Sequence, residues 1–478
     1  MFKDLDNEER MEMWNSPAVI EAVFLECMYW SLGATLIESS REIFDQSVKQ
    51  IAGLMAGHDD MTNFAGPGEI PNSQPLLYDY HFDTGVSGLD PNIKASDASV
   101  NEETESKIWC WKPWKVLVQP YEHDVSLRFN QILVPTVDTT RTEFLLTQMA
   151  QIKRPIVLAG ESGTSKSATI DEFLRKLDKN EFSILPINFS SRTTSMDVQR
   201  NLEANIEKRT KDTFGPPPGP KGPKRLIVFI DDMNMPQVDT YGTQQPIALL
   251  KLLLEKGGFY DRGKELGFKY IKDISYMAAM GKAGGGRNAT DPRFLSLFTV
   301  VNMTFPNDES LRSIYSSILD GKLTDFSPEI QQLVPKITEC TLQFYEHCIK
   351  TLPPTPSKFH YIFNLRDLSR VYHGFFLATP ERFQTDKQFV RLWKNECLRV
   401  FYDRLIDETD KKMVMSNIEE LISANFDKKC VEFSERLPLL FGDYRTALLG
   451  LGGFYEKNLI YSYFLFSTAN TGSYQNVP

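Results

Sequence analysis

The stretch "VLAGESGTSKSAT", residues 157–169, passes from an apolar segment through a glycine-containing loop into residues with helical spacing. Such a strand–loop–helix order gathers backbone N–H groups and a helix N-terminus around one point, a concavity that binds phosphate. The loop reads Gly160-Glu161-Ser162-Gly163-Thr164-Ser165-Lys166-Ser167. Lys166 is expected to reach β- and γ-phosphate oxygens as a mobile point charge, and the Ser167 hydroxyl to be a ligand of Mg²⁺. Ser165 stands where the usual motif has glycine, so it must adopt whatever backbone conformation the turn demands and adds bulk beside the phosphates. Reduced affinity with the loop retained is the expected consequence.

Downstream, "LIVFIDDMN" is an apolar run that ends in Asp231 and Asp232. Two charges at the end of a buried strand are costly unless a cation or protein donors balance them. Asp231 is therefore assigned to Mg²⁺ through water, and Asp232 to the attacking water. Glutamate is commoner in the second role, and aspartate is shorter by one methylene, about 1.5 Å. Slower hydrolysis is expected unless something compensates.

Working outward, five apolar runs alternate with helical patterns between residues 130 and 305: "RPIVLAG", "FSILPINFS", "RLIVFIDD", "ISYMAAMG" and "FTVVNM". This is the pattern of an α/β fold, a parallel sheet with both faces covered by helices. "FGPPPGPKGPK" (214–224) reads as a surface loop and "GFYDRGKELGFKYIKDI" (258–274) as a hairpin with Gly263 near its tip. From 307 to about 448 the pattern is mostly helical, with a break at "TLPPTPSK" (351–358). Residues 15–55 open on Asn15, Ser16 and Pro17, a helix-entry signal, and continue as two or more packed helices. Residues 57–106 lack apolar periodicity and read as a surface segment or linker. "IWCWKPWKVLV" (108–118) alternates as extended chain, with Trp109, Trp111 and Trp114 expected in the core.

The chain has 478 residues and a formal charge of -10, which argues against electrostatic binding to nucleic acid. The six cysteines form no C-x-x-C pair, so neither a zinc site nor a disulfide framework is expected, and they read as reduced and intracellular. The start, MFKDLDNEER, lacks the composition of a secretory signal or transit peptide. Residues 18–37 come nearest to a membrane span, but Glu21 and Glu26 would each cost roughly 2.5–3.5 kcal/mol in hydrocarbon. A buried amphipathic helix is the expected form, with no membrane partner. The histidines, His58, His81, His123, His347, His360 and His373, show no ligand spacing. His360 lies close enough in sequence to Arg366 to border its pocket. Cys340 and Cys348 of "CTLQFYEHC" read as helix packing.

"FIDDMNMPQVDTYGTQQPIALLK", "YMAAMGKAGGGRNATDPRFLSLFTVVNM", "YIFNLRDLSRVYHG" and "QILVPTVDTTR" resemble the third AAA+ module of a dynein heavy chain, of the axonemal type. The likeness covers roughly residues 108–448, and "MYWSLGATLIESSREIFDQSV" resembles the end of the second module's helical lid. It implies an AAA+ P-loop NTPase sheet flanked by helices and followed by an all-α lid, with a helical N-terminal segment. The implied boundaries are 1–60 (preceding lid), 61–107 (linker), 108–330 (large α/β domain), 331–448 (small lid) and 449–478 (a divergent tail, where the likeness ends). The resemblance further makes Arg293 of "DPRFLSLF" an arginine finger for the neighbouring module, with Arg287 of "GGGRN" as runner-up. It makes Arg366 of "FNLRD" the lid's γ-phosphate sensor, and places "ILVPT", with Val134 and Pro135, in the adenine pocket. As bare sequence "ILVPT" is an edge strand with a proline.

The departures are Ser165, Asp232, and Met280 and Gly281 at the fourth strand's end, where many AAA+ ATPases carry a polar sensor. They suit slow turnover, in which bound nucleotide sets a state of the ring. What the resemblance implies is therefore a weak ATPase using ATP/ADP and Mg²⁺, as part of a minus-end-directed microtubule motor in cilia or flagella. Its implied partners are the other AAA+ modules, dynein intermediate and light chains, and microtubules through the full motor. The alternative is a non-hydrolysing structural module of the same ring. A small-molecule kinase lacks any acceptor-site motif here.

Overall fold

A computed structural model of the chain describes residues 16–52, 76–83 and 110–435, apart from Val125, Lys221, Lys264 and Glu265, together with Leu439. Trp109 and the expected tail at 449–478 lie outside the described residues. The contacts group into two units, residues 1–119 with 135–306, and residues 120–134 with 307–478.

In the first unit Pro17 occupies the first turn of helix α1 (Pro17–Ser31), where its fixed φ suits the helix and its missing N–H leaves nothing unpaired. Helix α2 (Glu38–Ile51) follows after a short turn. Strand β1 (Tyr80–Asp83) pairs antiparallel with β2 (Cys110–Pro113). Leu77, Tyr78, Phe82 and Trp111 complete a cluster with Val19, Ala22, Leu25 and Tyr29 of α1. Part of the expected linker at 61–107 is thus core, because residues 76–83 carry apolar side chains that composition averaged away. Of the stretch 108–118, Cys110–Pro113 is extended as expected, after which Trp114–Leu117 form a single helical turn. Trp111 and Trp114 are fully buried.

The buried carboxylates of this interior have partners. The Asp45 carboxylate, 0% exposed, accepts from Tyr29 Oη at 2.9 Å and Leu77 N at 2.8 Å, with Lys49 Nζ at 2.7 Å. Glu26 lies 2.6 Å from His81 Nδ1. Helix α1 with its following turn is long and apolar enough to cross a membrane by composition, yet half of that window is buried in protein. Arg41 Nη2 donates to the Asn302 carbonyl at 2.9 Å, and Asn302 Nδ2 to the Leu36 carbonyl at 3.1 Å, which fastens this helical pair to the sheet.

Helix α3 (Val137–Gln151) leads into β3 (Ile156–Gly160), and α4 (Lys166–Lys176) into β4 (Phe182–Asn188). Helix α5 (Ser195–Glu203) precedes β5 (Arg225–Asp231), and α6 (Gln245–Lys256) precedes β6 (Ile274–Gly281) and β7 (Thr299–Met303). The five strands β3 to β7 form one sheet of order β7-β3-β6-β5-β4, parallel throughout. Alternation along β5 divides the core. Val228 and Ile230 pack with Val198 and Leu202 of α5 and with Ile247 and Leu250 of α6. Ile227 and Phe229 pack with Leu146 of α3 and with Ile170 and Phe173 of α4 on the other face. The expected hairpin is present as antiparallel Gly258–Tyr260 and Phe268–Ile271, in a small four-stranded sheet. No strand pairing involves residues 132–136, so the expected edge strand at "ILVPT" is absent; the segment runs into Thr136, which caps α3.

The second unit is helical. Helices α7 (Asp308–Leu323), α8 (Val334–Thr351), α9 (Leu365–Phe376), α10 (Asp386–Cys397), α11 (Glu408–Asn425) and α12 (Lys428–Ser434) surround one core. Leu311, Tyr315, Leu319 and Leu323 of α7 belong to it, so the contact boundary falls at 306/307 and not at the expected 330. Burial pushes the Cys340 and Cys348 thiols up to about 12, and no disulfide links any of the six cysteines. Cys340 and Cys348 pack in the helical core, as expected.

Candidate nucleotide site

Ligands of parallel α/β sheets bind beyond the carboxyl ends of the strands. At that edge Gly160 is in register with both Gly281 and Met303, and Asp231 with Asn188. The loop after β3 is built as a cradle. A Cβ at Gly160 would lie 2.7 Å from the Met303 carbonyl, so only glycine lets β7 pass this closely.

Ser165 takes φ 57° and ψ 16°, the left-handed region, as the residue that caps α4. The turn therefore demands the conformation that glycine adopts freely, at a strain of roughly 1–2 kcal/mol for an L-residue. The loop nevertheless keeps its form. Lys166 Nζ lies across it, donating to the Gly160 carbonyl at 3.0 Å, to Thr164 Oγ1 at 3.2 Å and to the Glu161 carbonyl.

The two acidic positions divide as their neighbours dictate. Ser167 Oγ donates to Asp231 Oδ1 at 2.7 Å, joining residues 64 apart in sequence into a pair of hard oxygen ligands. That donor set fits Mg²⁺, which takes few protein oxygens and completes its shell with water and phosphate. Among the described residues no group of three or more His, Cys, Asp or Glu converges as a metal site. Asp232 has φ 50° and donates its N–H to Asp231 Oδ1 at 3.0 Å. Its own Oδ1 accepts from Arg287 Nη2 at 3.0 Å. The runner-up finger Arg287 is thus engaged within its own unit. Asp171, one turn beyond Ser167 on α4, was missed in sequence reasoning. Partial desolvation, and then the Asp231 charge, push its carboxyl above the usual range.

Arg293 is exposed in the short helix Pro292–Leu295, whose capping residue Asp291 accepts from the Arg293 N–H at 3.0 Å. In the second unit Val134 is buried and Arg366 is exposed in the first turn of α9. Asp367 pairs there with Arg370 at 2.9 Å and Arg404 at 2.7 Å and not with Arg366. His360 Nε2 lies 3.1 Å from the Arg404 carbonyl.

Three family models match the chain: a P-loop containing dynein motor region over residues 121–306, an AAA+ lid domain over 337–433, and a dynein heavy chain AAA lid domain over 1–88. Human dynein axonemal heavy chain 10 is 55% identical over 430 residues, which make up 90% of this chain and 9% of that protein. The dynein-1-alpha heavy chain of the flagellar inner arm I1 complex of Chlamydomonas reinhardtii is 46% identical over 445 residues, 92% of this chain and 9% of its own length. Human dynein axonemal heavy chain 2 is 34% identical over 90% of this chain. The chain spans about a tenth of the length of these relatives. A P-loop strand, a strand ending in paired carboxylates and two lid matches flanking one sheet thus coincide with the relatives' names: this chain belongs to the axonemal dynein heavy chain family, as a segment of its AAA+ region.

Proposed function

We propose that the chain is the third AAA+ module of an axonemal dynein heavy chain, with the end of the second module's lid ahead of it. It binds ATP and ADP with Mg²⁺ and hydrolyses ATP slowly, so that the bound nucleotide sets a state of the motor ring. The observation that carries this reading is the 2.7 Å contact between Ser167 and Asp231 beside the phosphate cradle. A divalent cation supplies charge neutralisation at the phosphates. The chain's own groups do the rest: Lys166 and the loop amides hold phosphate oxygens, and Asp232 takes the proton of the attacking water. Arg293 completes a neighbouring module's site, Arg366 serves the γ-phosphate from the lid, and Val134 and Pro135 line the adenine pocket. In the whole motor this places the chain in the axoneme of a cilium or flagellum, with the other AAA+ modules, intermediate and light chains and microtubules as partners.

Retention without hydrolysis is the second reading. The ion pair on Asp232 and the left-handed Ser165 favour it, since the Arg287 guanidinium already occupies a carboxylate oxygen that an attacking water would have to meet. The decisive experiment is the nucleotide content of the purified chain, released by denaturation and separated into ATP and ADP, beside Lys166→Ala and Asp232→Asn. Stoichiometric nucleotide with an ADP fraction that disappears in Asp232→Asn is expected. ATP alone in the unaltered chain would select the non-hydrolysing reading, and no nucleotide in any form would overturn both.

A further inference from the structure

The strand end that lacks a polar side chain has one supplied to it by the following turn. A Cβ at Gly281 would lie 2.6 Å from Arg287 Nε and 2.7 Å from Arg287 Cδ, so the arginine side chain runs through the space that any other residue at 281 would fill. The turn that returns it there depends on glycine. Gly284, Gly285 and Gly286 have φ of 121°, 58° and 91°, and Gly284 and Arg287 close the turn as a bridge with hydrogen bonds of 2.9 and 3.1 Å. Asn288 N donates to the Asn234 carbonyl at 2.9 Å, and Asn234 Nδ2 to the Gly281 carbonyl at 2.8 Å, which locks the turn to the loop that follows Asp232.

The result is a chain of contacts from the phosphate loop outward. Ser167 meets Asp231 at 2.7 Å, the Asp232 N–H meets the same carboxylate oxygen at 3.0 Å, and Arg287 Nη2 meets Asp232 at 3.0 Å. A guanidinium carries five N–H donors. Arg287 Nε is buried against Gly281, whereas at the partly exposed end of the side chain only the Nη2 contact to Asp232 is made among the described residues, so the terminal nitrogens retain donors for a further acceptor. An acidic site that is to receive a triphosphate supplies one in the γ-phosphate oxygens.

We propose that Arg287, threaded past Gly281 onto Asp232, is the positioning residue of this module's own site, orienting Asp232 and registering the γ-phosphate in place of the polar strand-end side chain that Met280-Gly281 lacks. This rests on the nucleotide reading above. It also accounts for Asp232 in place of glutamate. A carboxylate one methylene short needs its direction fixed, and the arginine does so from outside the strand. The same side chain cannot then serve a neighbouring module, which leaves Arg293 for that role.

The test measures affinities of the full chain for Mg-ATP and Mg-ADP separately, by competition against a fluorescent nucleotide, in the unaltered protein, Arg287→Ala, Arg287→Lys and Gly281→Ala. Arg287→Ala is expected to lose about tenfold in ATP affinity with ADP affinity unchanged, a shift of about 1.4 kcal/mol. Gly281→Ala, which displaces the arginine without removing it, should shift the ratio in the same direction, and Arg287→Lys should restore part of it. ADP binding reports that each variant is folded. An unchanged ATP-to-ADP ratio in both Arg287→Ala and Gly281→Ala overturns the proposal while leaving the nucleotide reading intact. Faster turnover at an unchanged ratio also overturns it, making the pair an inhibitory clamp. Failure of the unaltered chain to bind either nucleotide removes the nucleotide reading, and this proposal with it.

Discussion

Gly160 and Gly281 face each other in register on adjacent parallel strands, and each leads into a loop that departs from the usual AAA+ pattern. The departures have opposite senses. After β3 a side chain is present at Ser165 where glycine is usual, and the backbone absorbs it by staying left-handed at φ 57°. After β6 a side chain is absent where a polar one is usual, and the vacated space carries Arg287 onto Asp232. An extra side chain is thus a local matter of strain in one residue. A missing one is resolved through a turn of three glycines and a contact between residues 55 apart.

The largest expected effect tests whether the strained loop still works as a phosphate cradle. Lys166 already lies across the loop on the carbonyls of Gly160 and Glu161, poised where phosphate oxygens would replace them. Lys166→Ala should lower ATP affinity at least about 100-fold, or ~2.8 kcal/mol at ~1.4 kcal/mol per tenfold, measured by calorimetric titration. A tenfold loss or less would mean that the backbone amides alone carry the phosphates and that Ser165 has not weakened them.

Ser165→Gly sharpens the comparison from the same loop. No side-chain capping bond holds Ser165 in place, so glycine should relieve strain with nothing lost but some extra freedom in the unfolded chain. The net gain is expected at about 0.5–1 kcal/mol, read as a higher thermal midpoint, together with tighter Mg-ATP binding. A lower midpoint would show that the serine side chain contributes a contact that outweighs its backbone.

That contrast also explains what could be read in advance. Gly160, Gly163, Lys166, Ser167, Asp231 and the two-faced alternation of β5 are local patterns, and they lie together at one strand edge as their spacing implies. Arg287 on Asp232 was not legible, because nothing in "GGGRN" specifies which way a glycine turn folds back. The buried segment 76–83 was hidden by the Gly, Pro and acidic residues around it. Helix α7 misled for a different reason. Its apolar face is an ordinary amphipathic stripe, and only packing tells that Leu311, Leu319 and Leu323 join the helical core.

Left-handed backbone at an ordinary residue need not mark function, and Asp273 gives the control at the opposite end of β6. It has φ 59°, and its carboxylate accepts from Arg209 Nη1 at 2.6 Å and Lys153 Nζ at 3.2 Å. The Arg209 bond, opposed by partial burial and reinforced by Lys153, holds its pKa below the usual carboxylate range. Its contribution is therefore present in full above the unfolded value, about 3.9, and is lost as pH falls through the lowered folded value. Asp273→Asn should reduce stability by less than ~1 kcal/mol near neutrality, since the pair is partly solvated, and the difference from the unaltered chain should vanish toward the acid limit. A gap in thermal midpoint that persists at low pH would assign the loss to the hydrogen-bond geometry of the carboxyl group and not to its charge.

The smallest expected effect separates the two arginines that flank β7's approach. Arg293 is exposed, and its N–H is held by the Asp291 cap, a geometry that sets the side chain on a surface and not on Asp232. Arg293→Ala should leave this chain's ATP affinity, ADP affinity and thermal midpoint within experimental error if, as proposed, the site that it completes belongs to another module. Arg287→Ala should not be silent in the same assays. If Arg293→Ala lowered the chain's own ATP affinity, both arginines would serve one nucleotide, and the division between a residue for the neighbour and a residue for the module itself would fail.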